Sequence, residues 1–172
     1  MKVTIMGVGN TLFTDEGTGI RVAEYLSERY TFDGSVSLVD GGTLGLGLLG
    51  VMSNADYLIV VDAVRKGGAP GSLYRLCGDE IPKRVFPKNS LHQVDLIEAL
   101  TLCQVLDKVP DTVVIGVEPL DIETFGIELT PTVSAKISAV AQMVLDELKR
   151  IGVAAPRPKE SDHVPCHSRK DR

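Results

Sequence analysis

Two adjacent acidic residues, Asp15 and Glu16, lie in a glycine-rich turn between a predicted strand and a predicted amphipathic helix. The positive end of a helix dipole helps to keep carboxylates ionised at this position. Such a pair repels a phosphate group but suits a metal cation. We predict that Asp15 caps the helix, as aspartate often does. For Glu16 two roles stay open, as a ligand for a cation or as a surface residue of the first helical turn.

Asp62 and His92 are the residues that could join Glu16 in a site. Asp62 follows the apolar run 57–61, and ligands of open parallel sheets bind beyond the carboxyl ends of strands where the strand order reverses. We therefore predict that Asp62 faces Glu16 across this crevice, although aspartate alone is typical of a turn. His92 should lie in a first helical turn, where the helix dipole favours the neutral imidazole that binds metals or accepts protons. Glu118 follows a later strand, and a turn residue is favoured there over a fourth carboxylate of the site.

The elements that must position these residues alternate between strand and helix, which predicts an α/β domain. Apolar runs predict strands at 3–6, 35–39, 57–61, 72–77 and 112–115. Apolar residues at helical spacing predict helices over 20–30, 90–108 and 130–152, and a weak, glycine-interrupted helix over 44–52. The connection 65–71 is too short for a parallel crossover, so the strand at 72–77 should be the antiparallel hairpin partner of the strand at 57–61.

Length and composition favour a single domain. A chain of 172 residues, 44% of them apolar, can bury about 70% of its unfolded surface in one core. The first residues run directly into a strand and no apolar run approaches the roughly 20 residues of a membrane span, so we expect a cytoplasmic protein without a membrane segment. A net charge of −5 argues against nucleic acid as a partner. We expect three reduced cysteines and a disordered tail over 153–172.

The glycine loop matches a dinucleotide fingerprint only in part. Gly7 and Gly9 occupy the first two glycine positions of G-x-G-x-x-G, but Leu12 stands at the third. The acidic pair that follows argues further against a bound pyrophosphate. The sequence also lacks H-E-x-x-H and G-x-S-x-G, so neither a zincin nor a serine hydrolase of that type is supported.

The ordered set of motifs resembles the hydrogenase maturation endopeptidases, in register from residue 1 to about residue 152. The motifs are Gly7-Val8-Gly9-Asn10, Asp15-Glu16-Gly17-x-Gly19, Asp40-Gly41-Gly42-Thr43, Asp62-Ala63, Ser90-x-His92-Gln93, Gly116 to Pro119, and Leu129-Thr130-Pro131. The resemblance implies a three-layer sandwich in which helices cover both faces of a twisted, mixed five-stranded sheet with one antiparallel strand. It also implies one maturation domain over 1–152.

The resemblance further implies an endopeptidase that removes the C-terminal extension of the [NiFe] hydrogenase large-subunit precursor after nickel insertion. Glu16, Asp62 and His92 would form the catalytic and metal site. Asp40, Gly41, Gly42 and Thr43 would contact the substrate. The nickel would come with the precursor, zinc or cadmium being able to replace it in a crystal, and the enzyme itself would be a monomer.

Two carboxylates and one imidazole suit nickel or zinc and leave coordination positions open. Two mechanisms stay open at this stage. In one, nickel in the substrate polarises the scissile carbonyl or activates water. In the other, nickel is only a checkpoint and a carboxylate acts as general base. The alternative function is a nickel-binding maturation chaperone without peptidase activity, and a nucleotide-binding protein ranks third.

Overall fold

The computed structural model describes residues 1–42, 49–81 and 109–159. Its strands are β1 (Val3–Val8), β2 (Tyr30–Thr31), β3 (Val36–Gly42), β4 (Tyr57–Ala63), β5 (Leu73–Cys77), β6 (Asp111–Val117) and β7 (Arg157–Pro158). Its helices are α1 (Thr18–Arg29), α2 (Leu49–Met52), α3 (Pro131–Ser134) and α4 (Ile137–Arg150). Single-turn 3-10 helices cover Thr14–Gly17 and Gly78–Glu80. The predicted helix over 90–108 lies outside the described residues.

The main sheet has five strands in the order β3-β1-β4-β6-β5. The first four run parallel, and β5 runs antiparallel to β6. The prediction of a mixed sheet with one antiparallel strand is confirmed. The predicted hairpin with the strand at 57–61 is wrong, because β6 lies between β4 and β5. The buried, apolar β6 takes the central position beside β4, and the more exposed β5 is left at the edge.

Alternate side chains of the central strands reach two separate apolar layers. On β4, Ile59 and Val61 pack in the layer that α1 and α4 cover. Leu58 and Val60 point to the opposite face and pack in the layer that includes Met52 of α2. Burial on both faces explains the continuous apolar runs of the sequence, which are typical of parallel strands. Helices therefore lie against both faces of the sheet.

The C-terminal part differs from the sequence prediction in two respects. The helix expected over 130–152 is two helices, since α3 ends before Lys136 and α4 begins after it. Gly152, at φ +77°, follows α4 as expected of a helix-ending glycine. The prediction of disorder does not hold for the first part of the tail, because β7 pairs with β2. Within the described ranges no helix is long and apolar enough to cross a membrane.

Candidate functional site

The first turn of α1 lies directly on the carboxyl ends of β1 and β4. A Cβ atom on Gly19 would lie 2.1 Å from the carbonyl oxygen of Val61 and 2.2 Å from that of Val8. No side chain fits at such distances, so glycine is required for this approach. This contact places the turn that precedes α1 at the edge of the sheet where β4 ends and where Asp62 lies.

Glu16 is held in a compact turn between β1 and α1. Its amide donates a hydrogen bond to the carbonyl of Phe13 at 2.8 Å, and its carbonyl accepts one from the amide of Asn10 at 3.2 Å. Gly9 has φ +138°, and a Cβ there would lie 1.9 Å from the carbonyl oxygen of Glu16. The turn therefore depends on glycine at position 9, and it leaves Glu16 only 8% exposed.

Asp62 is the penultimate residue of β4 and is 4% exposed. Its Oδ1 accepts a hydrogen bond from the amide of Ala63 at 2.8 Å. Burial raises the pKa of Asp62 well above its ordinary value; the bond from Ala63 lowers the pKa, and the negative charge of Glu16 raises it further. The structure thus brings Glu16 and Asp62 close enough for their charges to interact. Such a pair can bind a cation, and a carboxyl group of raised pKa can also transfer a proton.

The third predicted member of the site, His92, lies outside the described residues, as does Thr43. Across 1–42, 49–81 and 109–159, no group of three or more His, Cys, Asp or Glu residues is arranged to hold a metal ion. The three-ligand set Glu16, Asp62 and His92 therefore stays a prediction.

The turn expected to contact substrate closes β3 at the same edge of the sheet. The Oδ1 of Asp40 accepts a hydrogen bond from the amide of Gly42 at 2.9 Å, and Gly42 adopts φ +44°. The carbonyl of Gly42 accepts a hydrogen bond from the amide of Gly9 at 3.3 Å. Gly41 packs on the backbone of Gly7, where an added Cβ would lie 3.0 Å from the carbonyl oxygen. The turn is thus joined to the glycine loop that carries Glu16, and its role toward substrate stays a prediction.

Asp15 does not cap α1, so that prediction is wrong. The N-cap residue of α1 is Gly17, and no side chain caps this end. The fully buried carboxylate of Asp15 instead accepts hydrogen bonds from the amides of Leu120 and Asp121, at 2.9 and 3.0 Å, and from the amide and hydroxyl of Thr130, at 2.8 and 2.9 Å. Because α1 begins after Gly17, Asp15 is free to bind this distant loop.

Glu118, which we predicted to be a turn residue, directly follows β6 and is buried. Its buried carboxylate accepts hydrogen bonds from the amides of Lys66, Gly67 and Gly68, at 2.9, 3.2 and 3.1 Å, and from the hydroxyl of Tyr74 at 2.7 Å. Burial alone would raise the pKa of Glu118, but these donors outweigh it and the pKa is lowered. The carboxylate therefore shapes the loop that follows Asp62, a role the sequence prediction missed.

Sequence reasoning also missed Glu147, a buried carboxylate on α4. It accepts hydrogen bonds from the hydroxyl of Tyr57 and from the guanidinium groups of Arg75 and Arg150. One signal was present, because Glu147 follows Val140 by seven residues and so falls on the apolar stripe of the helix. A charge on such a stripe indicates a buried partner. This cluster joins α4 to β4 and β5.

Comparison with known proteins places this geometry in a family. A family model described as hydrogenase maturation protease matches residues 20–147. The chain belongs to this family. The hydrogenase 2 maturation protease of Escherichia coli K12 is 41% identical over 165 residues, which cover 95% of this chain and 99% of that protein.

Solved structures of the family agree with the fold. The hydrogenase maturating endopeptidase HybD from E. coli superposes with a TM-score of 0.84 at 40% identity, covering 91% of this chain and 98% of that one. The [NiFe] hydrogenase maturation protease HybD from Thermococcus kodakarensis gives a TM-score of 0.69 at 25% identity, covering 86% and 99%. The family resemblance and the α/β fold are thereby confirmed, and the chain is a peptidase.

Proposed function

We propose that this hydrogenase maturation protease removes the C-terminal extension of a [NiFe] hydrogenase large-subunit precursor after nickel has been inserted. In this proposal the nickel is part of the substrate. Glu16, Asp62 and His92 bind it and so align the precursor for cleavage.

The observation that carries the proposal is the buried pair of Glu16 and Asp62. The pKa of Asp62 is raised chiefly by its burial, and repulsion from the neighbouring carboxylate of Glu16 raises it further. Such an arrangement is stabilised by a proton or by a cation. Carboxylates and one imidazole are suitable donors for nickel, and a substrate that carries nickel would supply the cation together with the peptide.

The neighbouring turn supports a peptide substrate. Asp40, Gly41 and Gly42 end β3 beside the glycine loop, and Gly9 bonds to Gly42. Glycines at a sheet edge allow another backbone to approach closely. A precursor segment bound along this turn would lead to the crevice between β1 and β4, where open α/β sheets bind their ligands.

The test is a time course of cleavage with nickel-loaded and nickel-free precursor, followed by the mass of both products. Wild-type protein should shorten only the loaded precursor. The variants Glu16→Gln, Asp62→Asn and His92→Ala should each lose at least about 100-fold in kcat/KM, a loss typical of removing a group needed in the transition state. Glu28→Gln, on the exposed side of α1, is the matched control and should cleave normally.

Two results would contradict the proposal. Equal cleavage of loaded and nickel-free precursor would exclude nickel recognition. Transfer of nickel to the precursor without a shortened product would assign the protein to the alternative class, a nickel-binding chaperone.

A further inference from the structure

A cluster of exposed apolar side chains lies on two loops at the carboxyl edge of the sheet. Leu12 is 47% exposed, Leu120 56%, Phe125 73% and Ile127 59%. Four large apolar side chains this exposed on one surface are unusual for a part of a protein that contacts only water, and such patches mark interaction sites. We call this surface, formed by residues 12–13 and 120–128, the apolar rim.

The backbone of the apolar rim is held in place by hydrogen bonds and by a ring contact. The amide of Gly126 donates to the carbonyl of Leu12 at 2.9 Å, and the amide of Thr14 donates to the carbonyl of Gly126 at 2.8 Å. The rings of Phe13 and Phe125 meet edge to face, with centroids 6.0 Å apart. Four hydrogen bonds to the buried carboxylate of Asp15 hold both ends of the segment 120–130. The side chains are therefore exposed although their backbone is held.

The rim is continuous with the candidate site. Phe13 lies three residues before Glu16, and the amide of Glu16 donates to the carbonyl of Phe13 at 2.8 Å. Any chain that enters the crevice beside Glu16 from this side must cross the rim. The surface is thus placed to contact the same substrate at a distance from the reacting bond.

The ionisable side chains of the rim's own residues are all acidic. Asp121, Glu123 and Glu128 lie on it, and the sequence has no lysine or arginine between Glu118 and Lys136. A basic side chain of α1 also reaches the rim: Arg21 donates to the carbonyl of Ile127, and its charge is paired with that of Glu24, both contacts at 2.9 Å. A partner that fits must offer apolar side chains together with positive charge.

We propose that the apolar rim docks a segment of the precursor in which apolar side chains stand next to lysine or arginine. This inference rests on the proposed function, because it takes the precursor as the partner. Docking at the rim would increase affinity and orient the precursor without taking part in bond cleavage.

The experiment measures the dissociation constant of the full-length protein with nickel-loaded precursor, and separately kcat and KM for cleavage. The rim variants are Phe125→Ser and Glu123→Lys. Each has a matched control remote from the site: Val109→Ser for loss of an exposed apolar side chain, and Glu28→Lys for the same change of charge. Thermal unfolding should be nearly unchanged in Glu123→Lys and in both controls, because these side chains are exposed. Phe125→Ser also loses the ring contact with Phe13, so its binding is measured well below its own melting temperature.

Both rim variants should weaken binding and raise KM by about fivefold or more while kcat stays within about twofold. Glu123→Lys should also reduce the dependence of binding on salt concentration. The controls should bind like wild type. The two proposals can fail separately. If wild-type protein binds the precursor but never cleaves it, and the rim variants lose this binding, docking is supported and the proposed function is contradicted.

Three results would overturn the docking proposal. The first is equal affinity of rim variants, controls and wild type. The second is a fall in kcat with unchanged KM, which would assign the residues to the chemical step. The third is a wild-type dimer that Phe125→Ser converts to monomer without loss of precursor binding, which would assign the rim to contact between two copies of the chain.

Discussion

The carboxylate of Asp15 accepts two hydrogen bonds from Thr130, one from its amide at 2.8 Å and one from its hydroxyl at 2.9 Å, across 115 residues of sequence. Thr130 directly precedes Pro131, the first residue of α3. The contact therefore ties the start of a C-terminal helix to the turn that carries Glu16. Because Asp15 and Glu16 are adjacent, the hydrogen bonds of Asp15 hold the turn in which Glu16 lies.

Asp15→Ala should destabilise the protein by about 3 kcal/mol, because it leaves three partly buried amides and a hydroxyl without their acceptor. Thr130→Val removes only the hydroxyl bond and should cost about 1 kcal/mol. Urea unfolding of both variants gives the comparison. If the two variants lost similar free energy of unfolding, the bonds from the three amides to Asp15 would contribute little, and the proposed role of Asp15 would be wrong.

Gly19→Ala should be among the most damaging single-methyl changes in the described part of the chain. The added Cβ would lie 2.1 Å from the carbonyl oxygen of Val61, so α1 would have to move off the sheet, at a cost of about 3 kcal/mol or more. Gly34→Ala is the matched control, since a Cβ at position 34 meets nothing within 4 Å. Calorimetry should show a much lower melting temperature for the first variant only; equal melting temperatures would refute the steric argument.

Local pattern was enough to predict the described elements that position Glu16 and Asp62. Apolar runs located the strands, and the switch in strand order between β1 and β4 brought Glu16 and Asp62 to one crevice, as the topology rule requires. The partner of β5 could not be predicted in this way. The short connection fixes the direction of β5, but which strand lies beside it depends on how β6 competes for the sheet centre.

The roles of Asp15, Glu118 and Glu147 could not be predicted from local sequence for a different reason. Each of these carboxylates is satisfied by donors far away in the chain, such as Thr130 for Asp15 and Lys66 for Glu118. Spacing rules describe neighbours on one helix or strand, so they favoured a cap for Asp15 and a turn for Glu118. Only the three-dimensional arrangement shows which amides point at a buried carboxylate.

Glu118→Ala should release the loop that follows Asp62. The amides of Lys66, Gly67 and Gly68 lose their shared acceptor, and their hydrogen exchange should accelerate by about tenfold or more, the equivalent of roughly 1.4 kcal/mol. Exchange within β4 should change much less, which provides an internal control. Unchanged exchange of all three amides would mean that the loop is held by other contacts.

Glu147→Gln should destabilise the protein in a pH-dependent manner. Burial raises the pKa of Glu147, but hydrogen bonds from Arg75, Arg150 and Tyr57 outweigh burial and hold it far below its ordinary value of 4.5. A depressed pKa in the folded state means that the carboxylate stabilises the fold above pH 4.5, and that this contribution is lost as the pH falls below it.

The loss in Glu147→Gln should be about 1–3 kcal/mol near neutral pH, because both arginines are partly exposed and their attraction is screened. The difference from wild type should shrink steadily as the pH falls below 4.5. Denaturant unfolding at a series of pH values measures this, with the exposed Glu28→Gln as control. A difference that stays constant from neutral to acidic pH would show that charge is not the cause.

Asp62→Asn should stabilise the fold while it stops processing of the precursor. Burial and the neighbouring charge of Glu16 raise the pKa of Asp62, so its ionised form costs stability at neutral pH, and asparagine removes that cost while keeping the acceptor for Ala63. We expect the melting temperature to rise by about 3–6 °C at neutral pH. The ionised form of Asp62 lowers the free energy of unfolding only above its unfolded-state pKa of 3.8, so the gain in melting temperature should disappear as the pH falls toward that value.

Asp40→Asn is the control for Asp62→Asn. It lies at an exposed position whose amide contact also survives, and it should leave the melting temperature unchanged. A lower melting temperature in Asp62→Asn would mean that Asp62 stabilises the fold and is not held in the crevice for function.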